Sequence, residues 1–197
     1  MTARQISHAL IEADDSVLIV IDIQDAFLDK LPVLESDRLL NRACWLIAVA
    51  QWRQIPVVVT AEEIHKQPLA SRIVQSLPVN ALIFDKATFG LAHQPNILGA
   101  VEQTGRKTSV LIGLETDVCV AHSAIGLIEQ GYRVAVVADA TGTPQPGQEI
   151  GLGRMQNAGA VIVSTKSLFY EWMRTVETVN RFHRECPNMR DLDGIVL

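Results

Sequence analysis

The chain has 197 residues, 48% hydrophobic and 20% charged, a globular balance that excludes a disordered or collagen-like polymer. Seventeen basic and 22 acidic residues leave a net charge of −5, which argues against a nucleic-acid or anionic-membrane partner, since both require a basic face. The length fits one domain, residues 1–197, long enough to bury a core without a disulfide or metal staple.

Short apolar runs alternate with helical patterns along the chain. Strands are predicted at Ser16–Ile21, Pro56–Thr60, Ala81–Phe84, Thr108–Ile112, Arg133–Val137 and Ala160–Val163. Most are continuously apolar, as strands buried on both faces are. Between them, Ser36–Trp52 places Leu39, Leu40, Ala43, Leu46 and Ile47 at helical spacing. Pro95–Gln103, Cys119–Gln130 and Glu149–Asn157 are predicted helices, stopped by Gly105, Gly131 and Gly159, a usual end signal. Thr141–Gly147 reads as a Pro/Gly-rich loop suited to a pocket edge, and residues from about 166 to 186 as a helical tail. This alternation, with right-handed crossovers, predicts a doubly wound α/β fold: helices on both faces of a parallel sheet.

No apolar run approaches the ~20 residues of a membrane span. Residues 1–15 carry acids and a histidine with no apolar leader region, so no signal peptide is expected there. Cys44, Cys119 and Cys186 are an odd, scattered set that forms neither a metal pair nor a disulfide framework, and a cytoplasmic location is expected.

In open α/β sheets ligands gather at the carboxyl ends of the strands. There the sequence delivers Asp22 after the first strand, Lys86 after the third and Cys119 where a helix follows the fourth. A thiol at a helix start meets the positive end of the macrodipole, which favours thiolate, and nearby amides suit an oxyanion. An acid closing an apolar strand is costly unless paired or used, and a lysine beside it would hold both partners charged. Each also has a plainer role: an inert buried cysteine, a turn carboxylate, a solvated lysine. Cys44 reads as core, Cys186 as a tail thiol and His122 as helix surface. His65 with Glu62 and Glu63 lacks the second histidine of a metal site. No Gly-x-Gly-x-x-Gly or Walker loop follows the first strand, so no nucleotide cofactor is expected.

Four segments carry a family resemblance: VLIVIDIQDAF at 17–27, DKATFG at 85–90, GLETDVCVAHSAIGLIEQGYRVAVVADATGT at 113–143 and GLGRMQNAGAVIVST at 151–165. Over roughly residues 14–170 the chain resembles the isochorismatase-like cysteine hydrolases, a superfamily that includes nicotinamidase and carbamoylsarcosine amidase. It looks most similar to the isochorismatase-domain-containing subgroup. The resemblance implies a three-layer α/β/α fold with a six-stranded parallel sheet of order 3-2-1-4-5-6. It implies a catalytic triad of Asp22, Lys86 and Cys119, a cis peptide at Leu114–Glu115, and an oxyanion hole from the Glu115 and Cys119 amides. Phe27, Phe89 and Thr143 are the expected pocket residues, the substrate a small molecule, and the chain a homo-oligomer, dimer or tetramer.

Two departures narrow the chemistry. Nicotinamidases resemble one another in an Asp-x-His plus distal His metal site after the second strand, where this chain reads Thr60-Ala61-Glu62-Glu63-Ile64-His65; no metal and no cofactor are expected. Isochorismatases proper often lack the cysteine that is present here. The expectation is therefore a cysteine hydrolase that cleaves a small amide-like C–N bond through a thioester. The alternatives are a non-catalytic binding or scaffold protein on the same fold, and a vinyl-ether hydrolase.

Overall fold

The computed structural model describes residues 10–190, 192 and 195; the first nine residues of the expected leaderless N-terminus lie outside them. The apolar runs pair into one parallel sheet in the order β3-β2-β1-β4-β5-β6, as the resemblance implies. The strands are β1 Ser16–Ile21, β2 Val57–Glu62, β3 Leu82–Lys86, β4 Thr108–Leu114, β5 Arg133–Gly142 and β6 Val161–Val163. The helices are α1 Asp25–Leu28, α2 Val33–Trp52, α3 Ser71–Ser76, α4 Pro95–Gln103, α5 Ala121–Glu129, α6 Gly147–Asn157, α7 Thr165–Met173 and α8 Val176–Glu185.

Central strands β1 and β4 are buried along their whole length. One face of the sheet packs Leu18, Val20, Val110 and Ile112 against Leu39, Ala43, Leu46 and Ile47 of α2 and Leu168 and Trp172 of α7. The other packs Val17, Ile19 and Leu111 against Ile97 and Val101 of α4 and Ala124 and Leu127 of α5. Edge strand β3 departs from the expected two-sided burial: Leu82 and Ile83 are 46% and 44% exposed. Apolarity marked the strand, but as a sheet edge it has a neighbour on one side only.

Four strands run further at their carboxyl ends than predicted. β2 gains Ala61 and Glu62, β3 gains Asp85 and Lys86, β4 gains Gly113 and Leu114, and β5 continues to Gly142. The polar ends read as loop, but ladder pairs such as Ala61↔Asp85, Glu62↔Lys86 and Leu114↔Gly142 carry the strands through them. The predicted Thr141–Gly147 loop correspondingly shrinks, with Gly147 already in α6.

The tail is helical, but as two helices broken at Arg174, where φ is +63°. It packs on the domain. Trp45 of α2 stacks with Phe169 and Phe182, at centroid distances of 5.1 and 6.3 Å, and the buried Trp172 indole donates to Ser16 Oγ at 3.2 Å.

Gly113 fixes how closely β1 and β4 approach at the site. Its φ is +132°, and a Cβ there would stand 1.9 Å from the Ile21 carbonyl oxygen, a position only glycine tolerates. Gly113→Ala is expected to prevent folding or to lower unfolding free energy by more than ~4 kcal/mol, measured by urea titration. Gly99→Ala, in α4 with nothing within 4 Å of the new Cβ, should instead raise it by about 0.5–1 kcal/mol.

Candidate active site

Four strand ends converge on one carboxyl edge. β1 stops because Asp22 turns into the left-handed region, φ +49°, which aspartate tolerates better than most residues. Its amide donates to Thr60 O of β2 at 3.0 Å. β2 ends on Glu62 and β3 on Lys86. After β4 the Leu114–Glu115 peptide is cis, and a π-helical turn, Thr116–Val120, carries Cys119 into α5. The Glu115 carbonyl accepts from the Val118 and Val120 amides at 3.2 and 3.0 Å; neither bond uses the Cys119 amide.

The structure brings Asp22, Lys86 and Cys119 into contact, all of them buried. Lys86 Nζ lies 2.9 Å from Asp22 Oδ2 and 3.6 Å from Cys119 Sγ, and it donates to Thr88 O at 2.7 Å. Thr60 Oγ1 donates to Asp22 Oδ1 at 2.8 Å. Asp22, Glu62 and Cys119 present ligand atoms within 4.8 Å of one another. The Lys86 ammonium stands among all three, 3.9 Å from Glu62 Oε2, and supplies the positive charge they face.

Burial pushes the Asp22 carboxyl above its ordinary value, against the opposing pull of Lys86 and the Thr60 hydrogen bond. The Cys119 thiol is pushed up to about 12, by burial first, then by the Asp22 charge, with Lys86 opposing and Glu62 adding a further upward push. This corrects the expectation of a helix-start thiolate. The dipole of one turn is outweighed by loss of water and by two acids arriving from other strands. At neutral pH the proton rests on sulfur.

The remaining expected residues fall around the triad unevenly. Phe27 is buried beneath Lys30, whose ammonium lies 4.6 Å from the ring centroid and 3.0 Å from Glu115 Oε1. Phe89 is 55% exposed, with its ring 6.1 Å from that of His122. Thr143 lines a separate cavity of about 260 Å³ with Leu31, Arg38, Arg42, Asp139 and Gln148, and Cys119 is not among the residues lining it. The expected β5–α6 loop is displaced there because β5 continues to Gly142.

Sequence reading missed three residues. Thr60 was counted as strand only. Glu62 was weighed as a metal ligand and set aside, although its Oε2 lies 3.7 Å from Cys119 Sγ. Gln24 is fully buried and clamps the Glu62 backbone, accepting from its amide at 2.8 Å and donating to its carbonyl at 2.9 Å; its side-chain amide also donates to Gln67 O. The available signal was position: Glu62 is an acid closing an apolar strand, as Asp22 is.

Among the described residues no helix is long and apolar enough to cross a membrane. The Isochorismatase domain family model matches residues 16–167. Isochorismatase family protein 2A of Dictyostelium discoideum is 28% identical over 177 residues, covering 84% of this chain and 86% of its own. Probable hydrolase YcaC of Escherichia coli is 26% identical over 193 residues, 94% of this chain and 93% of its own. Its crystal structure, an octameric hydrolase of unknown specificity, matches with a TM-score of 0.82 at 24% identity, covering 93% of this chain and 94% of that one. N-carbamoylsarcosine amidase from Thermoplasma acidophilum matches with a TM-score of 0.65 at 22% identity, covering 77% of this chain and 96% of that one. With a six-stranded parallel sheet of order 3-2-1-4-5-6 and a family model spanning most of its length, the chain belongs to the isochorismatase-like hydrolase superfamily.

Proposed function

We propose that this protein is a cysteine hydrolase that cleaves a small amide-like C–N bond through a thioester, within one domain that includes the helical tail. The observation that carries the reading is the buried contact set of Lys86 Nζ, 2.9 Å from Asp22 Oδ2 and 3.6 Å from Cys119 Sγ. A thiol, a carboxylate and an ammonium together at one carboxyl edge support a reading of them as nucleophile, base and stabilising charge. The amidase neighbour supports C–N cleavage as the bond class.

The protonated thiol shapes the mechanism. Cys119 attacks the substrate carbonyl as its proton passes to Asp22, so no free thiolate need accumulate. The amides of Glu115 and Cys119 take the developing oxyanion. As the tetrahedral adduct collapses, the C–N bond breaks and Asp22 returns the proton to the leaving nitrogen. Water then attacks the thioester carbon as Asp22 takes its proton, and collapse breaks the C–S bond, Asp22 returning that proton to sulfur as the carboxylic acid leaves. Lys86 favours the ionised form of Asp22 against its burial and leaves the oxygen of the reacting carbonyl to the backbone.

A second reading rests on a different observation: Cys119 is only 2% exposed. A binding protein on this fold would keep the thiol shut away and would turn nothing over. Chain assembly into a homo-oligomer and a cytoplasmic location remain part of the proposal, the first supported by the octameric YcaC relative.

Three measurements test the hydrolase reading. Cys119→Ala should lower ammonia release from a primary-amide panel by ~10⁴-fold or more while leaving the thermal transition close to wild type; undiminished release would exclude Cys119 as nucleophile. The profile of kcat/KM against pH should show an acid limb set by Asp22, lying above the ordinary carboxylate range because burial raises that group. Activity requires ionised Asp22 and is therefore lost as pH falls, with no limb from Cys119 until about pH 12. A single limb near pH 8 to 9, where an ordinary thiol titrates, would instead mean a thiolate mechanism. Lys86→Met should abolish turnover and destabilise the fold by about 3–5 kcal/mol at neutral pH, since it strands a buried carboxylate. Urea titrations should show that loss shrinking as pH falls, because the raised Asp22 carboxyl then takes up a proton and the folded state no longer holds an unpaired charge.

A further inference from the structure

Glu62 has no part in the steps above, yet its carboxylate is built into the site. Oε2 lies 3.7 Å from Cys119 Sγ and 3.9 Å from Lys86 Nζ. The position is fixed from two sides: Gln24 holds both the amide and the carbonyl of Glu62, and the β2–β3 ladder sets Glu62 directly beside Lys86. Such double anchoring holds the Glu62 backbone to one place, from which its carboxylate meets the Cys119 thiol and Lys86.

Its exposure distinguishes it from the triad. The Asp22 and Lys86 side chains are fully buried, whereas the Glu62 side chain is 26% exposed. Among the side chains around the thiol, this carboxylate is therefore the one that reaches solvent. Lys86 and Asp22 are already paired at 2.9 Å, and Lys30, the cation at the neighbouring rim, is paired with Glu115 at 3.0 Å. Glu62 is the more distant of the two carboxylates around Lys86, 3.9 Å against 2.9 Å, so its charge is the less compensated one beside sulfur.

A carbonyl carbon poised for attack stands ~3–3.5 Å from the nucleophile. A carboxylate 3.7 Å from that same sulfur then lies within reach of the group carried on the adjacent α-carbon. We propose that Glu62 is a specificity residue that selects amides bearing an ammonium group on the α-carbon and turns away amides bearing a carboxylate there. The proposal rests on the cysteine-hydrolase reading for the bond cleaved, but the charge selection itself is testable without turnover.

The first test labels the purified full-length protein with a cationic methanethiosulfonate (ethylammonium) and an anionic one (ethylsulfonate), read by mass spectrometry of the Cys119 peptide. Cys44 and Cys186, both partly exposed, serve as internal references. In Glu62→Gln the cation-to-anion rate ratio at Cys119 should fall roughly 10- to 100-fold, the scale of a hydrogen bond to a charged group, while the ratios at Cys44 and Cys186 hold. Glu62→Asp, which keeps the charge, should retain the wild-type preference within about 3-fold, a rescue that a merely structural role would not give. An unchanged ratio at Cys119 in Glu62→Gln overturns the proposal. So does labelling of Cys119 by neither charged reagent when neutral methyl methanethiosulfonate labels it, since a cation is then turned away as an anion is.

The second test measures ammonia release from glycinamide, propanamide and malonamate, which place an ammonium, a methyl and a carboxylate on the same α-carbon. The wild type should prefer them in that order. Glu62→Gln should lose roughly 10- to 100-fold in kcat/KM on glycinamide, mostly through KM, and stay within about 3-fold on propanamide. An equal loss on all three would make Glu62 a support of the triad and overturn the proposal. If the wild type hydrolyses none of them while the labelling ratio still responds to Glu62, the hydrolase reading falls and the selection at Glu62 stands.

Discussion

A lysine ammonium with no access to water is the constraint around which this molecule is arranged. Lys86 is fully buried, and an uncompensated charge there would cost several kcal/mol. Its compensation comes from separate stretches of chain: Asp22 after β1, the Thr88 carbonyl just beyond β3, and the flank of Glu62 on β2. In the order β3-β2-β1-β4 the lysine and its aspartate sit two strands apart, roughly 9–10 Å at the ordinary spacing. A long unbranched stem spans that gap, and Thr60 of the intervening β2 donates to the aspartate the lysine reaches. Strand order and strand length thus answer to one buried charge.

The same contacts explain why the triad positions were legible in the sequence and its electrostatics were not. Asp22, Lys86 and Cys119 each end or follow an apolar run, and the carboxyl-edge rule for α/β sheets gathers such residues without any knowledge of distance. The protonation of Cys119 depends on how far burial and three neighbouring side chains act on one sulfur, which no spacing along the chain encodes. Glu62 escaped for a related reason. β2 was expected to stop at Thr60, where the β-branched residues end, whereas the ladder with β3 holds Ala61 and Glu62 in the sheet. Strand propensity reports what a residue prefers; the neighbouring strand decides how far the pairing continues. Thr143, expected at a pocket from its place after an apolar strand, lines a cavity with Arg42 and Asp139 just beyond the end of the longer β5.

Packing away from the site follows the sequence more closely because it depends on area rather than geometry. The apolar stripe of α2 found the sheet as its spacing implied. The tail joined that face through an aromatic cluster of Trp45, Trp52, Phe169 and Phe182. Its break at Arg174 carries no glycine or proline to announce it, and the capping threonine, Thr175, starts the second helix by accepting from the Thr178 amide at 3.1 Å.

A thiol raised to about 12 beside a buried carboxylate is an unusual resting state for a nucleophile, but it is consistent with the burial of the lysine. An ammonium placed to serve sulfur alone would stabilise a standing thiolate, which reacts with any electrophile that reaches it. Here the ammonium sits closer to Asp22 than to Cys119, 2.9 against 3.6 Å, so its larger effect falls on the base. Lys86 opposes the rise that burial imposes on the carboxyl, and in the proposed mechanism the sulfur keeps its proton until an electrophile arrives to make transfer favourable. Reactivity then depends on the substrate's own carbonyl and on what flanks it, which is why the partly exposed Glu62, rather than the triad, is the group with the freedom to discriminate.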